Sequence, residues 1–116
     1  MENVMYAVKR KTVSELTAKD FCIRGAQDFL DMVANISART FILQKDQLTE
    51  EFYDLSTGIA GEILQKCSNY SIQLGIVGDF SDIAGRSLRD FIYESNRTGL
   101  VVFAPDKAEA LRLLGF

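Results

Sequence analysis

Apolar and polar residues alternate near the start of the chain. In "VMYAVKR", Val4, Tyr6 and Val8 are each separated by one residue, which is the period of a β-strand. The segment that follows keeps no single period, and we expect from it a turn at residues 17–20 and a short extended piece at residues 21–23. The pattern leaves open whether this N-terminal segment forms one strand or two.

Further along the chain, apolar residues recur every three or four positions, as on the buried face of an amphipathic helix. The spacing predicts four main helices, over residues 26–37, from about residue 55 to 69, over residues 87–96, and from residue 106 onward. A shorter turn of helix is expected after Thr49, which precedes two glutamates that the helix dipole favours.

Two polar pairs predict where helices begin. Ser87 with Asp90 three residues later is similar to a capping box. Asp106 is expected to cap the last helix, because it precedes the apolar run and Glu109 then stands in the first turn.

Three short apolar runs lie between the predicted helices, at Thr40–Gln44, Ser71–Gly78 and Leu100–Ala104. Their length and composition are typical of buried strands. Because each is followed by a helix, the strands are expected to be parallel with right-handed crossovers. The sequence therefore predicts a single α/β domain over residues 1–116, with a mostly parallel central sheet, an N-terminal strand added at one side and about four helices.

Composition narrows the classes of function. Apolar residues make up 47% of the 116 residues, which is enough for a hydrophobic core, and the net charge is −3. A nucleic-acid-binding protein would need a clustered basic stripe, and the only dense basic run, "VKRKT", is more typical of a solvated strand end. No apolar stretch is long enough for a membrane span or a secretory signal, so we expect a cytoplasmic chain without membrane or nucleic-acid partners.

The chain has two cysteines and no histidine. Catalysis by Ser-His-Asp or Cys-His groups is thereby excluded, as is an ordinary zinc site. Asp46, Asp79 and Asp106 each follow a predicted strand and could together hold a divalent cation or act as acid and base. Turn formation is the favoured interpretation of these aspartates. We therefore expect no enzyme, no metal and no cofactor.

Ligands of parallel sheets bind beyond the carboxyl ends of the strands, and this rule directs attention to "DLSTGIAGEIL". Here Ser56 and Thr57 precede Gly58 and Gly61 at the predicted start of a helix. Free N–H groups and the helix dipole would stabilise an anion, or a phosphate attached to either hydroxyl. Alternatively, one hydroxyl caps the helix and the glycines allow tight packing. Both interpretations can hold together.

Four further residues are expected around this helix start. Phe52 and Tyr53 either anchor a partner or pack over the next helix. Arg86 either contacts a phosphate near Asp79 or forms a local ion pair. The predicted ligand- or partner-binding set is Phe52, Tyr53, Ser56, Thr57, Gly58, Gly61, Asp79 and Arg86.

Two long strings, "DLSTGIAGEILQKCSNYSIQLGIVGDFS" and "SLRDFIYESN", resemble a bacterial family known as domain of unknown function 4180. The resemblance runs from about Gly25 onward, and that family has no assigned activity. The order of elements is also similar to the STAS fold of sulfate transporters and anti-sigma factor antagonists. By that resemblance Ser56 and Thr57 occupy the two hydroxyl positions of the family's turn, and Thr57 is the phosphorylatable residue. In that family an acidic residue directly precedes the hydroxyl pair, whereas in this chain Leu55 occupies that position.

From these observations we expect a cytoplasmic regulatory or protein-binding module with a STAS-like fold. Its partner would be another protein, such as a kinase or a regulator, and Ser56-Thr57-Gly58 would be a phosphorylation switch. The alternative is a domain that binds a small anionic ligand or nucleotide at the same edge. A homodimer is compatible with the apolar content, although no dimer surface is indicated.

Overall fold

The computed structural model describes residues 1–83 and 85–116. In this part of the chain five strands and five helices are formed. They are β1 (Asn3–Val8), β2 (Lys11–Leu16), α1 (Ala26–Asn35), β3 (Thr40–Gln44), α2 (Glu50–Tyr53), α3 (Ile59–Tyr70), β4 (Gln73–Val77), α4 (Arg86–Thr98), β5 (Val101–Ala104) and α5 (Lys107–Leu113). None of the helices described is long and apolar enough to cross a membrane.

The five strands form one sheet in the order β1-β2-β3-β4-β5. β1 and β2 are antiparallel, whereas β2, β3, β4 and β5 pair in parallel. The predicted α/β class, with a mostly parallel sheet and a strand added at one side, is confirmed. The helix count of about four becomes five when the short α2 is included.

The N-terminal segment forms a hairpin of two strands. Lys9 and Arg10 make the connection, and both have positive φ, at 48° and 70°. A two-residue loop with two positive φ values is the type I′ turn, which usually contains asparagine or glycine. Because neither residue occurs here, the sequence carried no hairpin signal and left open whether β2 forms.

Two predicted helix starts are shifted in the structure. The helix expected from about residue 55 begins at Ile59, because Gly58 at its N-cap has a φ of 80° and interrupts helical geometry. α4 follows Gly85, which offers no side chain for capping, so Ser87 lies inside the first turn and the predicted capping box is wrong.

The predicted start of the last helix is confirmed. The carboxylate of Asp106 accepts a hydrogen bond of 2.8 Å from the backbone N–H of Glu109. This bond satisfies one of the donors that every helix leaves free at its first turn.

The sheet separates two apolar clusters. Right-handed crossovers in a sheet that grows in one direction place α1, α3 and α4 on the same face, where the larger cluster includes Phe29, Phe41 and Ile63. α5 covers part of the opposite face, where Ala110 and Leu114 pack against the sheet. The sheet and the helices on its two faces form three layers, and their packing fixes the positions of the strand ends.

Gly75 in β4 allows α5 to approach the sheet. A Cβ atom at this position would lie 2.9 Å from Cδ1 of Ile42 and 3.2 Å from Cβ of Ala110. We expect Gly75→Ala to lower the free energy of unfolding by about 1–3 kcal/mol through overpacking.

Gly61 is the matched control, because a Cβ atom there would meet open space among the described residues. Gly61→Ala is expected to stabilise the protein by about 0.5–1 kcal/mol, the helix-propensity difference. Urea unfolding of both variants measures the two changes in the free energy of unfolding. Equal effects of the two substitutions would contradict the packing account of Gly75.

Candidate functional site

Six residues from the carboxyl ends of β3 and β4 and from α2 lie together at one edge of the fold. This strand-end surface consists of Lys45, Asp46, Glu50, Tyr53, Asp79 and Phe80. Most of them line a groove of about 650 Å³. Its position agrees with the rule that parallel sheets bind ligands beyond the carboxyl ends of their strands.

Lys45 holds the two strand ends together. Its ammonium group donates a hydrogen bond of 2.6 Å to the backbone carbonyl of Asp79 and lies 5.0 Å from the centroid of the Phe80 ring. Gly78 makes this approach possible, because a Cβ atom there would lie 2.5 Å from Cβ of Lys45. The ammonium is thus fixed over an aromatic face, an arrangement that cation–π attraction favours.

Tyr53 links α2 to the same strand end. Its hydroxyl donates a hydrogen bond of 2.6 Å to the backbone carbonyl of Lys45, and its ring centroid lies 6.3 Å from that of Phe80. Burial, followed by the nearby charge of Asp46, raises the pKa of Tyr53 above its ordinary range. The phenol is therefore a neutral donor at physiological pH.

The two aromatic residues predicted for this site have different roles. Phe52 is only 2% exposed and belongs to the core, which matches the packing alternative and removes it from the contact surface. Its neighbour Tyr53 is half-buried and reaches the strand-end surface. The rings of Phe52 and Tyr53 meet edge to face at 5.0 Å, so the core residue supports the surface one.

The Asp54–Gly58 turn follows Tyr53 and contains both predicted hydroxyl residues. Thr57 Oγ1 lies 2.7 Å from the Glu51 carbonyl oxygen and 2.8 Å from that of Asp54, and shares its hydrogen between them. The same oxygen accepts a 3.3 Å hydrogen bond from the Ile59 N–H at the start of α3. Thr57 is therefore tied to the backbone on both sides of the turn, as threonine side chains in turns often are.

Ser56 is held differently from its neighbour. Its backbone N–H and its hydroxyl both donate to Asp54 Oδ1, at 3.1 Å and 2.6 Å, and its side chain is exposed. Beyond the turn, α3 leaves the N–H groups of Ala60 and Gly61 without acceptors inside the helix. A phosphate on Ser56 would lie beside the Asp54 carboxylate that this hydroxyl now contacts.

The same local arrangement recurs at Asp79. Ser81 donates its backbone N–H and its hydroxyl to Asp79 Oδ1, at 2.9 Å and 2.5 Å. Hydrogen bonds from the two serines hold the pKa of Asp54 and that of Asp79 below the ordinary value of 3.8. Both aspartates are therefore fully charged at neutral pH.

We expect carboxyl NMR titrations to place the pKa of Asp54 and that of Asp79 below 3.8. Ser56→Ala should return only the pKa of Asp54 toward that value, and Ser81→Ala only that of Asp79. A lowered folded-state pKa means that each turn stabilises the fold above the ordinary carboxyl pKa. The contribution is lost as the pH falls through the lowered value. Unchanged titration in both variants would contradict the serine contacts as the cause.

The remaining predicted residues are dispersed. Arg86 forms an ion pair of 3.8 Å with Asp90, and its side chain is 88% exposed, which matches the local-pair alternative. Asp46 and Asp79 line one groove, whereas Asp106 caps α5. Among the residues described, no group of three acidic or cysteine side chains could hold a metal ion.

Sequence reasoning missed three residues of the strand-end surface, Lys45, Glu50 and Phe80. Phe80 follows the strand predicted at Ser71–Gly78, but a single aromatic residue in a turn carries no further signal. Lys45 likewise follows a predicted strand. Their contact joins positions 35 residues apart in the sequence, so it depends on the pairing of β3 with β4.

A family model described as a domain of unknown function, DUF4180, matches residues 8–114. The chain belongs to this family. The DUF4180 match includes the whole strand-end surface and the Asp54–Gly58 turn, whereas β1 lies before it except for Val8. No curated protein and no solved structure matches the chain. The more distant STAS resemblance stays a prediction.

Proposed function

We propose that this DUF4180 chain is a regulatory protein-binding module that docks a partner on its strand-end surface. The observation that carries the proposal is the pair of half-buried rings, Tyr53 and Phe80, held 6.3 Å apart beside Lys45. Aromatic rings that pack against the hydrophobic core on one side and are partly exposed on the other can anchor a protein interface. They lie on strand ends and a helix, which hold their geometry before binding.

The charge of the strand-end surface supports a basic partner. Asp46, Glu50 and Asp79 contribute three negative charges, and Lys45 contributes one positive charge that already contacts Phe80 and the Asp79 backbone. An arginine- or lysine-containing segment would pair with these acids and stack on the rings. An acidic partner would be repelled.

Reversing the charge of two exposed acids tests this surface. We expect Asp46→Lys combined with Glu50→Lys to weaken partner binding at least about tenfold, because attraction becomes repulsion. Proteins captured from the native cells by each variant are quantified by mass spectrometry.

Asp90→Lys combined with Glu94→Lys is the control, since it makes the same charge change on the exposed face of α4. The proposed partner should be lost from the first double variant and kept by the control. The same captured proteins for both would contradict the strand-end surface as the docking site.

The Asp54–Gly58 turn supports regulation by phosphorylation. Ser56 and Thr57 are both exposed, but among the described residues the Ser56 hydroxyl bonds only to Asp54, whereas that of Thr57 is tied to backbone carbonyls. A phosphate on Ser56 would add up to two negative charges beside an acidic surface. It would also repel the Asp54 carboxylate and rearrange the turn next to Tyr53.

The modification can be sought directly on the native protein. Trypsin cleavage after Lys45 and Lys66 releases one peptide that contains the whole turn. Fragment-ion mass spectrometry of this peptide from native cells should show phosphate on Ser56 or Thr57. Complete coverage without phosphate across growth conditions would contradict the regulatory part of the proposal and leave Thr57 with a structural role in the turn alone.

A small ligand in the same groove is the second candidate. Thr49 lines this groove, and its Oγ1 atom is buried without a hydrogen-bond partner in the described part of the chain. A volume of about 650 Å³ is within the range of ligand pockets. The surrounding acids disfavour the anionic ligand or nucleotide that the sequence suggested. A melting temperature that rises with ligand concentration would support this candidate.

A further inference from the structure

The two edge strands of the sheet differ in whether their free backbone groups are covered. This difference does not involve the strand-end surface. At the β5 edge, the Asn96 side chain accepts a 2.8 Å hydrogen bond from the Phe103 N–H and donates one of 3.1 Å to the Phe103 carbonyl. The amide of Asn96 thus takes the place of a neighbouring strand. Such cover prevents another chain from pairing with the edge.

The opposite edge lacks the usual protection. β1 is the outermost strand, and its six residues pair with β2 without interruption by a bulge. The strand "NVMYAV" contains neither a charged residue nor proline, and the side chains of Val4 and Met5 are 53% and 52% exposed. Long, apolar, uncharged edges are those that accept a further strand.

We propose that the chain forms a symmetric dimer by antiparallel pairing of β1 with β1 of a second copy. The pairing would join the two sheets into one sheet of ten strands. Two-fold symmetry is the commonest symmetry of soluble oligomers. In such a dimer the same strand of each copy pairs with itself in the other copy. The strand-end surface remains accessible in this dimer, because it lies on β3, β4 and α2.

The hairpin geometry determines which backbone groups point outward. In a two-residue type I′ hairpin the residues that flank the turn exchange hydrogen bonds, so Val8, Tyr6 and Val4 bond to β2. Met5 and its alternate neighbours in β1 therefore direct their N–H and C=O groups toward the open edge. A two-fold axis at Met5 uses all of these groups and places Met5 of one copy opposite Met5 of the other.

Charge at the two ends of β1 is complementary in this arrangement. Glu2 precedes the strand, and Lys9 and Arg10 follow it. Antiparallel pairing brings Glu2 of each copy near the basic turn of the other, where opposite charges attract. A second copy is therefore favoured over an unrelated strand, which would need to supply the same pattern of charge.

Sedimentation equilibrium of the 116-residue chain tests the dimer. Pairing along one six-residue strand gives a small interface, so we expect reversible association at about micromolar to submillimolar concentration. Met5→Lys should weaken it at least about tenfold, because identical charges would lie directly opposite each other. The exposed position of Met5 makes this substitution harmless to the monomer fold, which circular dichroism checks.

A charge-exchange experiment identifies the register. Met5→Lys and Met5→Glu should each be monomeric alone, and an equimolar mixture should form a heterodimer at least as well as the unchanged chain. Tyr70→Lys is the control, since Tyr70 is also 52% exposed but lies at the end of α3.

A chain that stays monomeric at about 1 mM, above the expected range, would overturn the proposal. Association that Met5→Lys leaves unchanged, or that Tyr70→Lys weakens equally, would also overturn it. Failure of the two Met5 variants to associate when mixed would overturn the two-fold axis at Met5.

Discussion

Replacement of Phe103 by alanine is expected to lower the free energy of unfolding by about 3–5 kcal/mol. Phe103 is 4% exposed and lies at the centre of an aromatic cluster. Its ring centroid is 5.4 Å from that of Phe80, 6.2 Å from that of Phe91 and 6.3 Å from that of Phe52. The substitution would remove contacts to the β4–α4 loop, to α4 and to α2 at once.

This loss is large compared with the total stability of about 5–15 kcal/mol that is usual for a domain. Phe103→Leu is the matched control, because it keeps most of the apolar volume while it removes the ring contacts. In urea unfolding, the free energy of unfolding of Phe103→Leu should lie between that of the unchanged chain and that of the alanine variant. A cost below about 1 kcal/mol for Phe103→Ala would contradict the central position of this ring.

The second large effect is expected at Gln47, whose side chain is almost fully buried at 5% exposure. Its Nε2 donates hydrogen bonds of 3.1 Å to the backbone carbonyls of both Leu16 and Ala18. Its Oε1 accepts a bond of 2.7 Å from the N–H of Gln44. One amide thus joins the end of β2 to the end of β3.

Gln47→Leu should lower the free energy of unfolding by about 3 kcal/mol or more, because three backbone groups lose their partner. Gln65→Leu is the control, since Gln65 is exposed and bonds only to Asn69 among the described residues. It should change stability by less than about 0.5 kcal/mol. Equal effects in urea unfolding would show that Gln47 does not join the strands as described.

The elements that the sequence predicted are those with an unambiguous local pattern. The apolar runs of β3 and β5 and the cap at Asp106 were recognisable, because burial on both faces and helix capping depend on adjacent residues. β2 was not, since its hairpin uses Lys9 and Arg10 in a conformation that other residues usually adopt. Gln47 was missed because a buried amide is defined by distant backbone partners.

The strand-end rule selected the edge of the sheet at which Lys45, Tyr53 and Phe80 lie together, because the rule follows from parallel topology alone. The pattern did not distinguish Phe52, which is buried, from Tyr53, which reaches the surface. It also did not separate the roles of Ser56 and Thr57, because that difference depends on backbone carbonyls that fold back to one hydroxyl.

Photo-crosslinking in the native cells tests the proposed docking surface most directly. A photoreactive phenylalanine analogue is placed at Phe80 and, as a control, at Tyr93, an aromatic residue of α4 that is 64% exposed. We expect a discrete adduct with another protein from position 80 and not from position 93. No adduct at position 80, or the same adducts at both positions, would contradict a docking role for the strand-end surface.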